Sequence, residues 1–220
     1  MRTVIFDLDG TLADTSRDLI AAANACFREL GHGDMLDPVA DAATAFRGGR
    51  AMLTLGFSRL GVEDTAAVDS QYPRLLVAYG AAIDVHTVLY PGTVEAVKRL
   101  IAGGYAVGVC TNKPEAQAQT LLTRLGVRDL FASLIGADTL PVRKPDPAPY
   151  VAAVERAGGA VDQSVLIGDT VTDRETGRAA GVPVVLVTFG PEGDGVAQLA
   201  PDALLPHFDD LDQVVKELIG

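Results

Sequence analysis

Thr3-Val4-Ile5-Phe6-Asp7-Leu8-Asp9-Gly10-Thr11-Leu12 decides how the rest of the chain is read. Four apolar or β-branched residues make a short strand, and two acids leave its end one residue apart. Successive strand side chains point to opposite faces, so Asp7 and Asp9 share a direction while Leu8 turns into the fold. Gly10 then allows a sharp turn. Like carboxylates this close repel, and a divalent cation or a shared proton relieves them. The segment also reads as an ordinary Asp- and Gly-rich turn. A calcium loop fits less well, because the third regularly spaced acid and the closing glutamate are missing.

Outward from this strand, short apolar runs recur at Tyr105–Cys110, Phe131–Gly136, Ser164–Ile167 and Val182–Val187. Helix-period segments lie around them at Pro91–Ala102, Pro114–Leu125, Pro147–Ala157 and Val171–Ala180. Three open on proline, whose fixed φ suits a first helical turn, and each is closely followed by glycine. Strands alternating with helices predict an α/β fold, a Rossmann-like three-layer core around a parallel sheet. The alternation fails between about Asp14 and Asp84. That stretch is rich in Ala and Leu and has helical spacing in Leu19–Leu30, Met52–Leu60 and Val68–Ile83. It reads as an inserted α-helical cap over residues 14–85, with the core formed by residues 1–13 and 86–220. Gly190–Gly195 reads as a flexible surface loop.

Composition narrows the function classes. At 48% hydrophobic and 21% charged residues the 220-residue chain is expected to pack, with room for one substantial core and a small accessory lobe. A formal charge of −11 disfavours nucleic acid and anionic membrane as partners. No stretch approaches the ~20 apolar residues of a spanning helix, and the N-terminus does not read as a signal peptide, so a cytoplasmic protein is expected. Cys26 and Cys110 fall in apolar surroundings and are expected as buried free thiols. His32, His86 and His207 have no second ligand at metal spacing and read as surface residues.

Three more strand ends carry candidate chemistry. Thr111-Asn112-Lys113-Pro114 places a hydroxyl and backbone N–H groups at a helix start, which suits an anion and equally suits an N-cap. Arg143-Lys144-Pro145-Asp146-Pro147 holds a cation in a proline-stiffened loop, where Lys144 is either a phosphoryl ligand or an exposed lysine. Gly168-Asp169-Thr170-Val171-Thr172-Asp173 again puts acids at a strand tip, one helical turn apart. They are a cation site, or a cap and a first-turn acid that compensates the helix dipole. The separate structural readings do not account for two acids, a hydroxyl, a lysine and two more acids in this order.

The four segments resemble the motifs of the haloacid dehalogenase superfamily: Asp7-Leu8-Asp9-Gly10-Thr11, Thr111, Lys144-Pro145, and Gly168-Asp169-Thr170 through Asp173. The resemblance implies that Asp7 attacks phosphorus while Asp9 protonates the leaving oxygen and later deprotonates water. It implies Mg²⁺ held by the Asp7 carboxylate, the Asp9 main-chain carbonyl and Asp169. Thr111 and Lys144 would bind phosphoryl oxygens, and Asp173 would orient Lys144 or a metal-bound water. Asp9 argues for phosphate chemistry, since dehalogenases of this group lack the second acid and need no metal.

The insertion then resembles the helical cap that follows the first motif in the C1-type subgroup. Phe46-Arg47-Gly48-Gly49-Arg50 could grip a second anionic group on the substrate, or carry solvated arginines at a helix start. Together with Asn112, the Arg-Gly-Gly run and the Asp173–Gly181 run, the motifs look most similar to phosphoglycolate phosphatases. A Mg²⁺-dependent phosphomonoester hydrolase acting on a small phosphorylated metabolite is therefore expected, as a monomer or homodimer. The alternatives are a β-phosphoglucomutase-like phosphosugar mutase and a non-catalytic phosphate-binding protein.

Overall fold

The computed structural model describes all 220 residues. In chain order, β1 (Thr3–Phe6) and β2 (Ala13–Asp14) precede four helices, α1 (Ser16–Glu29), α2 (Ala42–Phe46), α3 (Gly49–Arg59) and α4 (Thr65–Ala81). Then come β3 (Val88–Leu89), α5 (Thr93–Ala102), β4 (Ala106–Cys110), α6 (Glu115–Arg124), β5 (Ser133–Ile135) and α7 (Ala148–Arg156). The chain ends with β6 (Ser164–Gly168), α8 (Val171–Ala180), β7 (Val184–Val187), β8 (Ala203–Leu205) and α9 (Leu211–Ile219).

Six strands form one sheet in the order β5-β4-β1-β6-β7-β8, and every neighbouring pair is parallel. Parallel strands need helical crossovers that cover both faces, so their side chains are apolar throughout. Val4, Ile5, Phe6, Val165, Leu166 and Ile167 are accordingly buried. The sequence after β1 returns to the sheet on one side of it as β4, and β6 pairs on the other side. β1 therefore lies at a switch in strand order, where α/β folds open a crevice beyond the strands' carboxyl ends.

The chain divides into two compact units, Met1–Ala13 with Leu89–Gly220, and Asp14–Val88. The second contains α1 to α4. Phe27 of α1 meets Phe57 of α3 edge-on at 5.1 Å, and buried Leu19, Ala23, Met52, Leu53, Leu75 and Tyr79 complete its core. Asn24 braces the following loop: its side-chain oxygen accepts from the N–H groups of Met35 and Leu36, and its amide donates to the Leu36 carbonyl.

The structure differs from the sequence reading in local ways. Pro114 and Pro147 cap α6 and α7 from just outside, and α5 begins at Thr93 after Gly92 in the left-handed region. Gly190–Gly195 is not simply a loop: a 3₁₀ helix runs over Gly193–Leu199, drawn in because the Val196 side chain is buried. β8, α2 and α9 add elements that the alternation did not reveal. Cys26 and Cys110 are buried and free, and all three histidines are exposed. No helix is long and apolar enough to cross a membrane.

Candidate active site

The ends of the three central strands converge because β1 pairs with both β4 and β6. Past the strands, the Asp7 N–H donates to the Ile167 carbonyl at 2.8 Å, and the Thr111 N–H donates to the Ile135 carbonyl at 2.9 Å. These bonds carry the register into the loops and fix where Asp7, Thr111 and Asp169 leave the sheet. Leu8 is fully buried, as its alternation with the two acids requires.

Carboxylate oxygens of Asp7, Asp169 and Asp173 lie within 4.8 Å of one another, all on buried residues. Lys144 Nζ reaches into this trio, 2.6 Å from Asp173 Oδ1 and 3.1 Å from Asp7 Oδ1. Asp173 is spoken for twice. Its other oxygen accepts from the Asp169 and Thr170 N–H groups and the Thr170 hydroxyl, a capping box that starts α8. Asp169 Oδ1 accepts from the Thr11 hydroxyl at 2.8 Å. Its Oδ2 faces Gly10, where a Cβ would lie 2.2 Å away and where φ is +83°. Only glycine satisfies both the turn and the close approach. Gly168 is likewise constrained, since a Cβ there would meet Asp173 at 2.4 Å.

Asp9 stands apart from the trio. Its carboxylate pairs with Lys113 Nζ at 3.0 Å, the lysine side chain being 3% exposed. Thr111 Oγ1 accepts from the Lys113 N–H at 3.1 Å, and Asn112 Nδ2 donates to the Lys144 carbonyl at 3.0 Å. The second and third motif loops are thus tied together, so Asn112 acts here as a brace. Lys113 was not singled out from sequence, because a lysine before a proline at a helix start looks like a solvated residue.

Burial pushes the Asp7 carboxyl up to about 7, with Lys144 opposing and Asp173 and Asp9 reinforcing the shift. Burial, together with Asp173 and Asp7, raises Asp169 well above the ordinary carboxylate value. For Lys144 burial works against the charge, but Asp173 and Asp7 outweigh it and hold the ammonium above its usual value. Cys110, under the site, is pushed up to about 12 by burial and is inert.

These residues fit a divalent cation. Asp7 Oδ1 is buried and accepts no hydrogen bond; its contact with Lys144 has ion-pair distance without hydrogen-bond alignment. Four carboxyl groups, those of Asp7, Asp9, Asp169 and Asp173, face two ammoniums, so full ionisation would leave a deficit of two positive charges. Hard carboxylate oxygens are the donors Mg²⁺ prefers. With both oxygens of Asp173 engaged, the Asp7 and Asp169 side chains are the ones with an oxygen to offer.

The remaining expected residues belong to the Asp14–Val88 unit. Arg47 follows α2 and is exposed, and Gly48 caps α3 with φ of +95°. Arg50, in the first turn of α3, pairs with Asp69 and stacks over the Tyr72 ring at 4.6 Å.

A parallel sheet with acids, a hydroxyl and a lysine at its strand tips defines a hydrolase class, and the family profile of haloacid dehalogenase-like hydrolases matches residues 4–187. The chain belongs to that family. Within it, the chain is phosphoglycolate phosphatase-like. It is 38% identical to the phosphoglycolate phosphatase of Rhodospirillum rubrum over 96% of this chain and 89% of that one. It is 40% identical to that of Xanthomonas campestris pv. campestris over 86% and 84%. Among solved structures, a predicted phosphoglycolate phosphatase from Haemophilus somnus superposes with a TM-score of 0.84 at 26% identity, covering 97% of each chain.

Proposed function

We propose that the chain is a Mg²⁺-dependent phosphomonoester hydrolase that works through an aspartyl-phosphate on Asp7, with 2-phosphoglycolate as its substrate. The observation that carries this reading is the buried Asp7 oxygen without a hydrogen bond, beside Lys144 and Asp169. The names of the curated relatives support the choice of substrate.

Asp7 and Asp169, with the Asp9 main-chain carbonyl, would hold Mg²⁺. Bound there, the ion neutralises charge on the phosphoryl oxygens. Lys144 and the Thr111 hydroxyl bind the same phosphoryl group, and Asp173 keeps Lys144 aimed and charged. An Asp7 oxygen forms a bond to phosphorus as the ester P–O bond breaks, and a proton from Asp9 goes to the leaving oxygen. Water then attacks the phosphorus of the aspartyl-phosphate, its proton goes to Asp9, and Asp7 is regenerated as inorganic phosphate departs. The chemistry demands little beyond position and charge, which this site supplies from rigid strand ends.

The Asp14–Val88 unit is read as the cap. Arg47 and the N–H groups opening α3 at Gly48 suit the substrate carboxylate, with Arg50 supporting them. Buried free thiols at Cys26 and Cys110 accord with a cytoplasmic setting. An assay of phosphate release from 2-phosphoglycolate with and without Mg²⁺, alongside isomerisation of β-glucose 1-phosphate, tests the reading. Mg²⁺-dependent phosphate release supports it. Isomerisation without release would assign a mutase, and silence in both would leave a binding protein.

A further inference from the structure

The site contains two buried lysines, and only Lys144 has a part in the chemistry above. Lys113 is 3% exposed at its side chain and pairs with Asp9 at 3.0 Å. An ammonium taken out of water is costly to bury, so a lysine in this position needs a reason. Its backbone is fixed as well: its N–H donates to Thr111 Oγ1, and its carbonyl accepts from the Ala137 N–H at 2.9 Å. The Lys113 stem therefore starts from a rigid point at the end of β4.

Asp9 needs such a tether. It lies two residues beyond Asp7 in a turn through Gly10, and its carboxylate is free of the trio formed by Asp7, Asp169 and Asp173. Without an opposing cation, a carboxylate this near a cation site would be drawn in as one more oxygen ligand. A carboxylate spent in that way cannot accept a proton from the hydrolytic water.

We propose that Lys113 is a positioning residue that holds the Asp9 carboxylate off the Asp7–Asp169–Asp173 cluster, so that Asp9 stays available to the water that cleaves the aspartyl-phosphate. The inference rests on the phosphatase reading above. It assigns separate duties to the two lysines: Lys144 serves the phosphoryl group and Asp7, and Lys113 serves Asp9.

The test compares wild type, Lys113→Ala and Lys113→Arg as full chains in Mg²⁺, with 2-phosphoglycolate and p-nitrophenyl phosphate. Steady-state rates are measured together with the acid-quenched phosphoenzyme fraction. Loss of a positioned base costs roughly 10²-fold or more, so a displaced one is expected to lower kcat of Lys113→Ala by about tenfold or more on both esters. With p-nitrophenyl phosphate, whose phenolate leaves without needing the Asp9 proton, formation of the phosphoenzyme is spared, so kcat/KM stays within about threefold and KM falls with kcat; with 2-phosphoglycolate, whose leaving oxygen takes its proton from Asp9, kcat/KM falls as well. The phosphoenzyme fraction at saturation with p-nitrophenyl phosphate rises above that of wild type, and Lys113→Arg restores it toward the wild-type level. Independently of turnover, Lys113→Ala binds Mg²⁺ more tightly by calorimetry, because Asp9 can now join the cluster.

A fall in kcat/KM for p-nitrophenyl phosphate with an unchanged phosphoenzyme fraction would overturn the proposal, since Lys113 would then serve substrate binding or folding. Unchanged kinetics and Mg²⁺ affinity would overturn it too. If Lys113→Ala fails to fold, Lys113→Gln is read by the same criteria. Failure of the parent reading looks different: wild type itself would release no phosphate and form no phosphoenzyme.

Discussion

Two sets of buried aspartates in this molecule are treated in opposite ways. In the Asp14–Val88 unit, Asp18 accepts from the His86 N–H and from both the N–H and the hydroxyl of Thr87. Asp41 accepts from both terminal nitrogens of Arg59 and from the Asp37 N–H, and Arg59 holds its carboxyl below the usual range. At the strand tips, burial drives Asp7 and Asp169 the other way, and one Asp7 oxygen accepts nothing. Burial alone does not mark a catalytic carboxylate. Burial combined with an unmet demand for positive charge does.

The sharpest way to break the contrast is to remove the demand. Asp7→Asn is expected to lower kcat by about 10⁴-fold or more, because an amide cannot act as the proposed nucleophile. Its melting temperature without metal is expected to equal or exceed that of wild type, since a repelling charge has gone. Phosphate release near the wild-type rate would end the assignment of Asp7. Asp173→Asn is expected to cost less, about 10–100-fold in kcat/KM, because it weakens the hold on Lys144 without touching the reacting atoms. A loss as large as that of Asp7→Asn would show that Asp173 itself contacts the substrate or the cation.

The two sets also predict opposite responses to pH, which thermal melts in EDTA and in Mg²⁺ can read. For Asp7 the folded-state pKa, about 7, lies above the ordinary 3.8, so between those values the folded chain binds the proton that the unfolded chain has released. Stability without metal therefore falls as pH rises from about 4 to 7, by roughly 4 kcal/mol if the full shift is expressed. Mg²⁺ should recover more melting temperature at pH 8 than at pH 5. Asp41 has the reverse sign. Its depressed pKa adds stability above about 4 that is lost on further acidification. A melting temperature without metal that rises steadily from pH 5 to 8 would contradict the account of Asp7.

Much of this site is legible in the sequence, and the reason is local. Strand tips are marked by the end of an apolar run, so Asp7, Thr111 and Asp169 announce their places without any knowledge of packing. The bounds of α8 are readable in the sequence, with Gly181 closing it in the left-handed region, but its cap is Thr170, in a capping box with Asp173, and not Asp169. Lys113 is not legible, because its burial depends on Asp9, which comes from another strand about a hundred residues earlier. The double use of Asp173 is only half visible: spacing places it in the first turn of α8, while the bond to Lys144 comes from folding. α9 did carry a signal, with Leu211, Val214, Val215, Leu218 and Ile219 at helical spacing, of which Leu211 and Val215 are buried. β8 is only Ala203–Leu205, and β-pairing at a sheet edge leaves little trace in three residues.

The smallest expected effect comes from the satisfied set. Asp41→Ala removes the paired bonds to Arg59 and leaves the Asp37 N–H without its acceptor. The Arg59 side chain is 42% exposed, so water can take over much of its hydrogen bonding. The cost is then set by the lost bonds rather than by a stranded charge, about 1–2 kcal/mol. For a chain of this size that is a drop of roughly 3–6 °C in melting temperature. Activity toward a small phosphomonoester at a permissive temperature should stay within about threefold. A large fall in kcat without a change in melting temperature would place Asp41 among the demanding acids, and the contrast between the two sets would lose its meaning.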